Sequence, residues 1–346
     1  MPLFLENKSL IWEYDGYSLY LNFFILEGEI GRSIISDLLA GNQIDLSTYA
    51  YNAGYGADLL ATTAGCFNDP FNLVSIICPV SIAEYCYEAL IFIRFYLAAC
   101  CFSLFCFEKG KKGWPVLIAS LIYVTSGFVV FWGVTWHANF LNVAILLPMI
   151  LFGAERIFNG KRSLTLIAAV TLSLVFSVYF SYMLLIALFC YCLIKFLCSK
   201  NRSVRKFFSV FIKFLVPIFV SFCMAGIVLI PELLVLTSMG RVGLERAVSS
   251  FFSASYYISV PITLIGYPLS ARAMCIGGLP VLVILVFLAN FKKLNRLEAV
   301  PWLIGLVLCF FGLLIPFVGK AFNGFSYVSD RWMVIWAFCV AYIVCL

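Results

Sequence analysis

From residue 84 onward the chain is a close succession of apolar runs, each about 17 to 25 residues long, which is the length a helix needs to cross a bilayer. The runs fall near 84–107, 114–133, 138–156, 163–179, 181–199, 207–236, 274–291, 298–318 and 330–346. Backbone in hydrocarbon must satisfy its own hydrogen bonds, so the runs predict helices. The expected fold is an all-α polytopic membrane protein with a transmembrane bundle of about nine spans over 84–346. With 64% hydrophobic residues, 12% charged residues and a mean hydropathy of +1.04, a soluble globule is excluded.

Charge gives the bundle a direction. Basic clusters mark alternate connections: Lys109, Lys111 and Lys112; Arg156, Lys161 and Arg162; Lys195 through Lys213; Lys292, Lys293 and Arg296. By the positive-inside bias these connections are cytoplasmic. Residues 1–83 hold nine acids against Lys8 and Arg32, so they carry −7 while the remainder carries +13. They are expected to form an extracytoplasmic first domain, with interfacial amphipathic helices over 17–39 and an ordered loop over 40–70. Bases spaced as topology signals do not indicate nucleic acid; membrane lipids are the expected surroundings. A second external loop is expected at 237–273, with Arg241, Glu245, Arg246 and Arg272. The hydrophilic opening follows no signal peptide or span, and the last apolar run stops at AYIVCL. The expectation is that a first span and a further C-terminal part are missing from this chain.

The fourteen cysteines include no CxxC pair and no Cys/His metal spacing, and most sit inside apolar runs. They read as small apolar filler, with only Cys66, Cys78 and Cys275 placed to face the outside. No cofactor is expected. Glu13 and Asp15 are two apart, which is too little to assign a metal.

Candidate chemistry centres on Asp15 in SLIWEYDGYSLYLNFF, among Trp12, Glu13, Tyr14, Tyr17 and Tyr20. Rings that exclude water would raise a carboxylate toward general-base range; the alternative is a solvated acid capping the helix that begins near Gly16. His137, the only histidine, lies beside Trp136 and reads either as interfacial packing or as a catalytic residue. Arg94 lies within an apolar run, with Glu88 or a bound phosphate as its expected partner. Arg331, next to Asp330, could bind a lipid phosphate or anchor its helix. Glu232 follows Pro231 at the end of a run also interrupted by Pro217, which reads as a helix end or a broken helix.

The stretches LIWEYDGYSLYLNFF, YNAGYGADLL with NDPFNLVS, YVTSGFVVFWGVTWHANFLNVAILLPMILFGAER, VYFSYM, LIPELLVLTSMGR and YVSDRW occur in an order that resembles the YfhO family of bacterial membrane proteins. That family looks like the GT-C glycosyltransferases, so the resemblance implies a GT-C-like helix bundle. It also implies transfer of a sugar from a polyprenyl-phosphate donor to a cell-envelope glycopolymer such as a teichoic acid, on the extracytoplasmic face and with inversion. Asp15 matches the catalytic acid of the first external loop in enzymes of this architecture. The family pattern has Gln and then Tyr beginning four residues after the Asp, where this chain has Leu19 and Tyr20. The resemblance implies that Asp15 takes the acceptor proton, that Arg94, His137 or Arg331 stabilises the leaving phosphate, and that Tyr14, Tyr17, Trp136 and Glu13 contact donor or sugar.

Two other functions compete. A lipid-linked glycan flippase would need polar groups at several depths, whereas the spans here are mostly apolar inside. A non-catalytic scaffold for envelope assembly would fit the changed position at Leu19.

Overall fold

The structure, a computed structural model, describes residues 8–43, 49–50, 56–58, 68–200, 202–238, 249–266 and 275–346. A π-helical turn, Gly16–Leu21, runs into α1, Asn22–Ala40, which stops at Gly41 in the left-handed conformation (φ 69°). Two-residue strands β1, Tyr49–Ala50, and β2, Ala57–Asp58, pair antiparallel, and a 3-10 segment, Pro70–Ile76, leads to the bundle. The bundle comprises α2 (Ala83–Glu108), α3 (Trp114–Val124), α4 (Leu141–Phe158), α5 (Leu164–Phe176), α6 (Val178–Leu197) and α7 (Val204–Ser238). It continues with α8 (Ala254–Ile265), α9 (Gly278–Asn290), α10 (Arg296–Leu314), α11 (Pro316–Ala321) and α12 (Met333–Ile343).

Among the described residues five helices are long and apolar enough to cross a membrane, or six if a bent pair counts as one. The run at 114–133 is that pair: α3 and a π-helical stretch, Phe128–Trp136, meet at 51°. The bend has a backbone cause, because the Gly127 N–H leaves the helix ladder and donates to the Cys275 carbonyl at 2.7 Å. The run at 163–179 divides at Ser177, whose extended backbone ends α5 and whose hydroxyl caps α6. α5, α9 and α12 have 13, 13 and 11 residues, each short of the roughly 20 that a lone span needs.

Two expectations are corrected. Neither Pro217 nor Pro231 ends or breaks α7, which is one helix of 35 residues. Glu232 lies buried beside the backbone of Val178, at the start of α6. The stretch expected as a loop at 237–273 holds α8, whose N-terminus is capped by Ser253. Arg241, Glu245, Arg246, Arg272, Cys66 and most of the 40–70 loop lie outside the described residues. Cys78 and Cys275 are buried free thiols.

Charged contacts gather the helices at one end. Glu155 of α4 accepts from Tyr191 and Lys195 of α6 and lies 3.7 Å from Lys109, while Lys161 reaches Glu108 at 2.7 Å and Lys111 reaches Glu298 at 3.0 Å. Above this basic end the core is aromatic: Phe102 stacks on Tyr123, Trp302 stacks on Tyr342, and Phe105 and Phe338 pack edge to face between them. The opposite end carries residues 9–20, the Trp136–His137 corner and the 322–332 connection.

The domain over 8–78 is held to this end by α1 lying on the 3-10 segment. A Cβ at Gly28 would stand 2.5 Å from the Ser75 carbonyl oxygen, so only glycine admits this approach. Arg32 then donates to the carbonyls of Ser75 (2.7 Å) and Cys78 (3.1 Å), joining the two segments.

Candidate functional site

α2 grips the opening segment with two acids one turn apart. Glu88 accepts from the Ser9 hydroxyl (2.8 Å) and the Leu10 N–H (2.7 Å), and Glu84 accepts from the Tyr17 hydroxyl. Between these anchors the chain folds back on itself, with the Tyr17 N–H donating to the Trp12 carbonyl at 3.0 Å. Gly16 makes the reversal possible, since a Cβ there would come within 2.9 Å of Ile11 Cγ2 and 3.2 Å of Trp12 Cβ. Asp15 stands exposed at the tip.

Asp15 occupies the cap position of the π-helical turn, yet its side chain makes no capping hydrogen bond. The capping role therefore falls away. So does the expectation that rings exclude water from this carboxylate, because it faces solvent.

Beside it rises an aromatic wall. Trp12 stacks on Trp136 (centroids 4.7 Å apart, 17°) and meets His137 edge-on, while Trp132 lies parallel to the His137 ring (11°). His137 is buried, and Nδ1 lies 3.0 Å from the Tyr20 hydroxyl. Burial first, and then the nearby Arg331 charge, push the imidazole down to about 4 against the opposing pull of Asp15. At neutral pH the ring is uncharged. The tautomer in which Tyr20 donates to Nδ1 places the ring proton on Nε2.

The cation of this site is Arg331. Its guanidinium lies over the rings of Trp132 (5.4 Å), Phe140 (5.2 Å) and Tyr179 (5.5 Å). Among the described residues no carboxylate lies within 4.0 Å of it, and its sequence neighbour Asp330 instead accepts from the Trp132 indole N–H at 3.2 Å. Tyr179 is fixed by a 2.6 Å bond to Asn323, which donates to the Tyr327 carbonyl at 2.9 Å. A cation held by rings rather than by a carboxylate keeps its charge available to an anion.

The structure thus brings Asp15, Trp136, His137 and Arg331 together, and leaves other predicted residues apart. Arg94, 0% exposed, pairs with Asp69 at 2.8 Å and lies over the Phe71 ring at 4.8 Å. Its expected partner Glu88 is occupied by residues 9 and 10, so Asp69 is the partner in its place. Tyr17 turns toward Glu84. Tyr14, 63% exposed, meets Trp12 at a tilt, and Glu13 is exposed. Trp132, Tyr179 and Asp330 belong to the site and were not predicted for it, while Trp12 and Tyr20 were expected only as rings around Asp15. The four-residue spacing of Trp132 and Trp136 was a usable signal for one shared helical face; the approach of Tyr179 and Asp330 depends on tertiary folding alone.

Among the described residues no group of three or more His, Cys, Asp or Glu side chains could hold a metal ion. The arrangement offers a solvent-facing proton acceptor, a neutral imidazole donor and an anion-attracting guanidinium along one wall. The sequence model of a family described as bacterial membrane protein YfhO matches residues 35–346. No curated protein and no solved structure matches. The matched region contains Trp136, His137 and Arg331 and begins after Asp15, so the family match does not extend to Asp15.

Proposed function

The chain belongs to the YfhO family of bacterial membrane proteins, and from that premise we propose that it transfers a sugar from a polyprenyl-phosphate donor to a cell-envelope glycopolymer, with this end of the bundle on the extracytoplasmic side. The observation that carries the reading is that one buried histidine, His137, lies close enough to an exposed carboxylate, Asp15, and to the Arg331 guanidinium to feel both charges, and that among the described residues Arg331 has no carboxylate within 4.0 Å. In this reading a proton acceptor and an anion holder both neighbour His137.

In the reaction, Asp15 accepts the proton of an acceptor hydroxyl as its oxygen attacks the anomeric carbon. The bond to the lipid phosphate breaks on the opposite face, which inverts the centre. Negative charge grows on the departing phosphate, and Arg331 stabilises it where surrounding rings keep water from screening the charge. His137, neutral, contributes an Nε2–H hydrogen bond, and Trp136 with Trp12 offers a stacking face to a sugar ring. Arg94 takes no part in this centre and secures the 69–72 segment on α2.

The test is sugar transfer in membranes given a radiolabelled polyprenyl-phosphate sugar and a teichoic-acid-type acceptor. Asp15→Asn should lower the rate by about 10²- to 10⁴-fold at normal protein abundance. Full activity of that variant would remove Asp15 from the reaction, and absence of transfer by the unmodified protein with any such donor would remove the reaction itself.

A further inference from the structure

On the other side of the aromatic wall lies a cleft of about 440 Å³, lined among the described residues by Phe131, Trp132, Trp136, Phe252, Tyr256 and Asp330, with Ser329 at its edge. This volume falls within the range of about 300 to 1,000 Å³ usual for small-ligand sites. The walls are built: Phe252 stacks on Tyr256 at 4.0 Å, the Tyr256 hydroxyl is tied to the Leu313 carbonyl at 2.8 Å, and Trp132 is oriented by Asp330. Trp136 belongs to both compartments, since it lines the cleft and also stacks on Trp12, three residues from Asp15.

We propose that this cleft is a saccharide-binding subsite, taking neutral pyranose rings of the acceptor glycan. A pyranose has apolar C–H faces and a rim of hydroxyl donors. The cleft matches both properties, with flat rings on its sides and a carboxylate that accepts hydroxyl hydrogen bonds. The described lining residues offer rings, one carboxylate and a hydroxyl, which suit a polyhydroxylated neutral ring. An acyl chain would bury Asp330 and Ser329 against hydrocarbon without a hydrogen-bonding partner of its own. A cationic ligand would suit rings and an acid, but Arg331 beside Asp330 offsets the negative charge. A glycan seated here reaches the Asp15 side over the edge of Trp136. The acceptor assignment rests on the transfer reading; saccharide binding does not.

The protein in lipid nanodiscs, free of glycoside detergents, is titrated with maltotriose and with chitotriose while tryptophan fluorescence and saturation-transfer NMR are recorded, with choline as the cationic comparison. The expected result is saturable binding of one of the trisaccharides. Phe252→Ala and Asp330→Asn should each weaken it about tenfold or more, and Asp15→Asn should leave it within about twofold. Equal thermal midpoints for the variants establish that they are folded. Wild-type affinity in both cleft variants, a preference for choline, or no saturable saccharide signal overturns the proposal. Loss of transfer in Asp15→Asn alongside unaltered binding in the cleft variants would sink the cleft and leave the transfer reading standing. Intact transfer in Asp15→Asn with saccharide binding in the cleft would do the reverse.

Discussion

At the scale of single residues, the candidate site separates groups by what they are already bound to. Arg94 and Arg331 look alike in the sequence, each an arginine in or beside an apolar run. Arg94 has Asp69 as an ion-pair partner, whereas Arg331 has rings. The same distinction separates Tyr17, bonded to Glu84, from Tyr20, bonded to His137. Sequence could nominate Asp15, His137 and Arg331 because their charge or ring chemistry is rare in such a chain; it could not assign partners, since His137 lies 117 positions from Tyr20 and the Asp330 beside Arg331 lies 198 from Trp132. Glu27 supplies a separate test. Burial first, and then the Asp69 charge, raise its carboxyl from 4.5 to about 8 although Asn72 bonds to it. The folded state therefore binds a proton that the unfolded state has released. This contribution is complete below pH 4.5 and is lost as pH rises to about 8. His137 acts in the opposite sense, its contribution falling as pH drops from 6.5 to about 4, so the interval from 6.5 to 8 isolates Glu27. Thermal unfolding should show a midpoint that declines across that interval and a smaller decline in Glu27→Gln; equal slopes would contradict the assignment.

At the scale of elements, α2 works as a ruler. Glu84, Glu88 and Arg94 hold, in turn, the Tyr17 turn, the Ser9–Leu10 strand of chain and the 69–72 segment. Removing one partner of a buried pair leaves the other charge unpaired, so Arg94→Met should destabilise the protein by about 3 to 5 kcal/mol. If Arg94 serves only to hold this segment, Arg94→Met with Asp69→Leu should recover much of that loss, and transfer should follow the folded fraction. Activity abolished in a fully folded double variant would give Arg94 a direct role. Gly28→Val should similarly separate α1 from the Ser75 segment, read as faster proteolysis of the opening domain. Element type was legible because apolar length and basic boundaries follow directly from the bilayer. The break at Gly127 was not, because it depends on a hydrogen bond to backbone that an apolar run does not encode; the boundary at Ser177, by contrast, falls close to the edge between the runs 163–179 and 181–199. Pro217 and Pro231 misled in the other direction, since a long packed helix tolerates them.

At the scale of the whole molecule, the charge division of −7 and +13 has a spatial counterpart. Lysines and glutamates tie the helix ends at one side, while the acidic opening domain, the aromatic wall and the cleft occupy the other. The positive-inside bias predicts that the two sides face different compartments. With Cys66 and the exposed Cys190 and Cys223 replaced by Ser, a thiol reagent confined outside the cell should label Asn42→Cys and not Arg202→Cys; the converse pattern would invert the orientation. The central claim is that Asp15 and Arg331 serve one reacting centre, and a double-mutant cycle of sugar-transfer rates with Asp15→Asn and Arg331→Gln addresses it most directly. If they act as a unit, the double variant should be scarcely slower than the slower single variant. Two losses that multiply in the double variant, or a single variant with the wild-type rate, would contradict the shared centre.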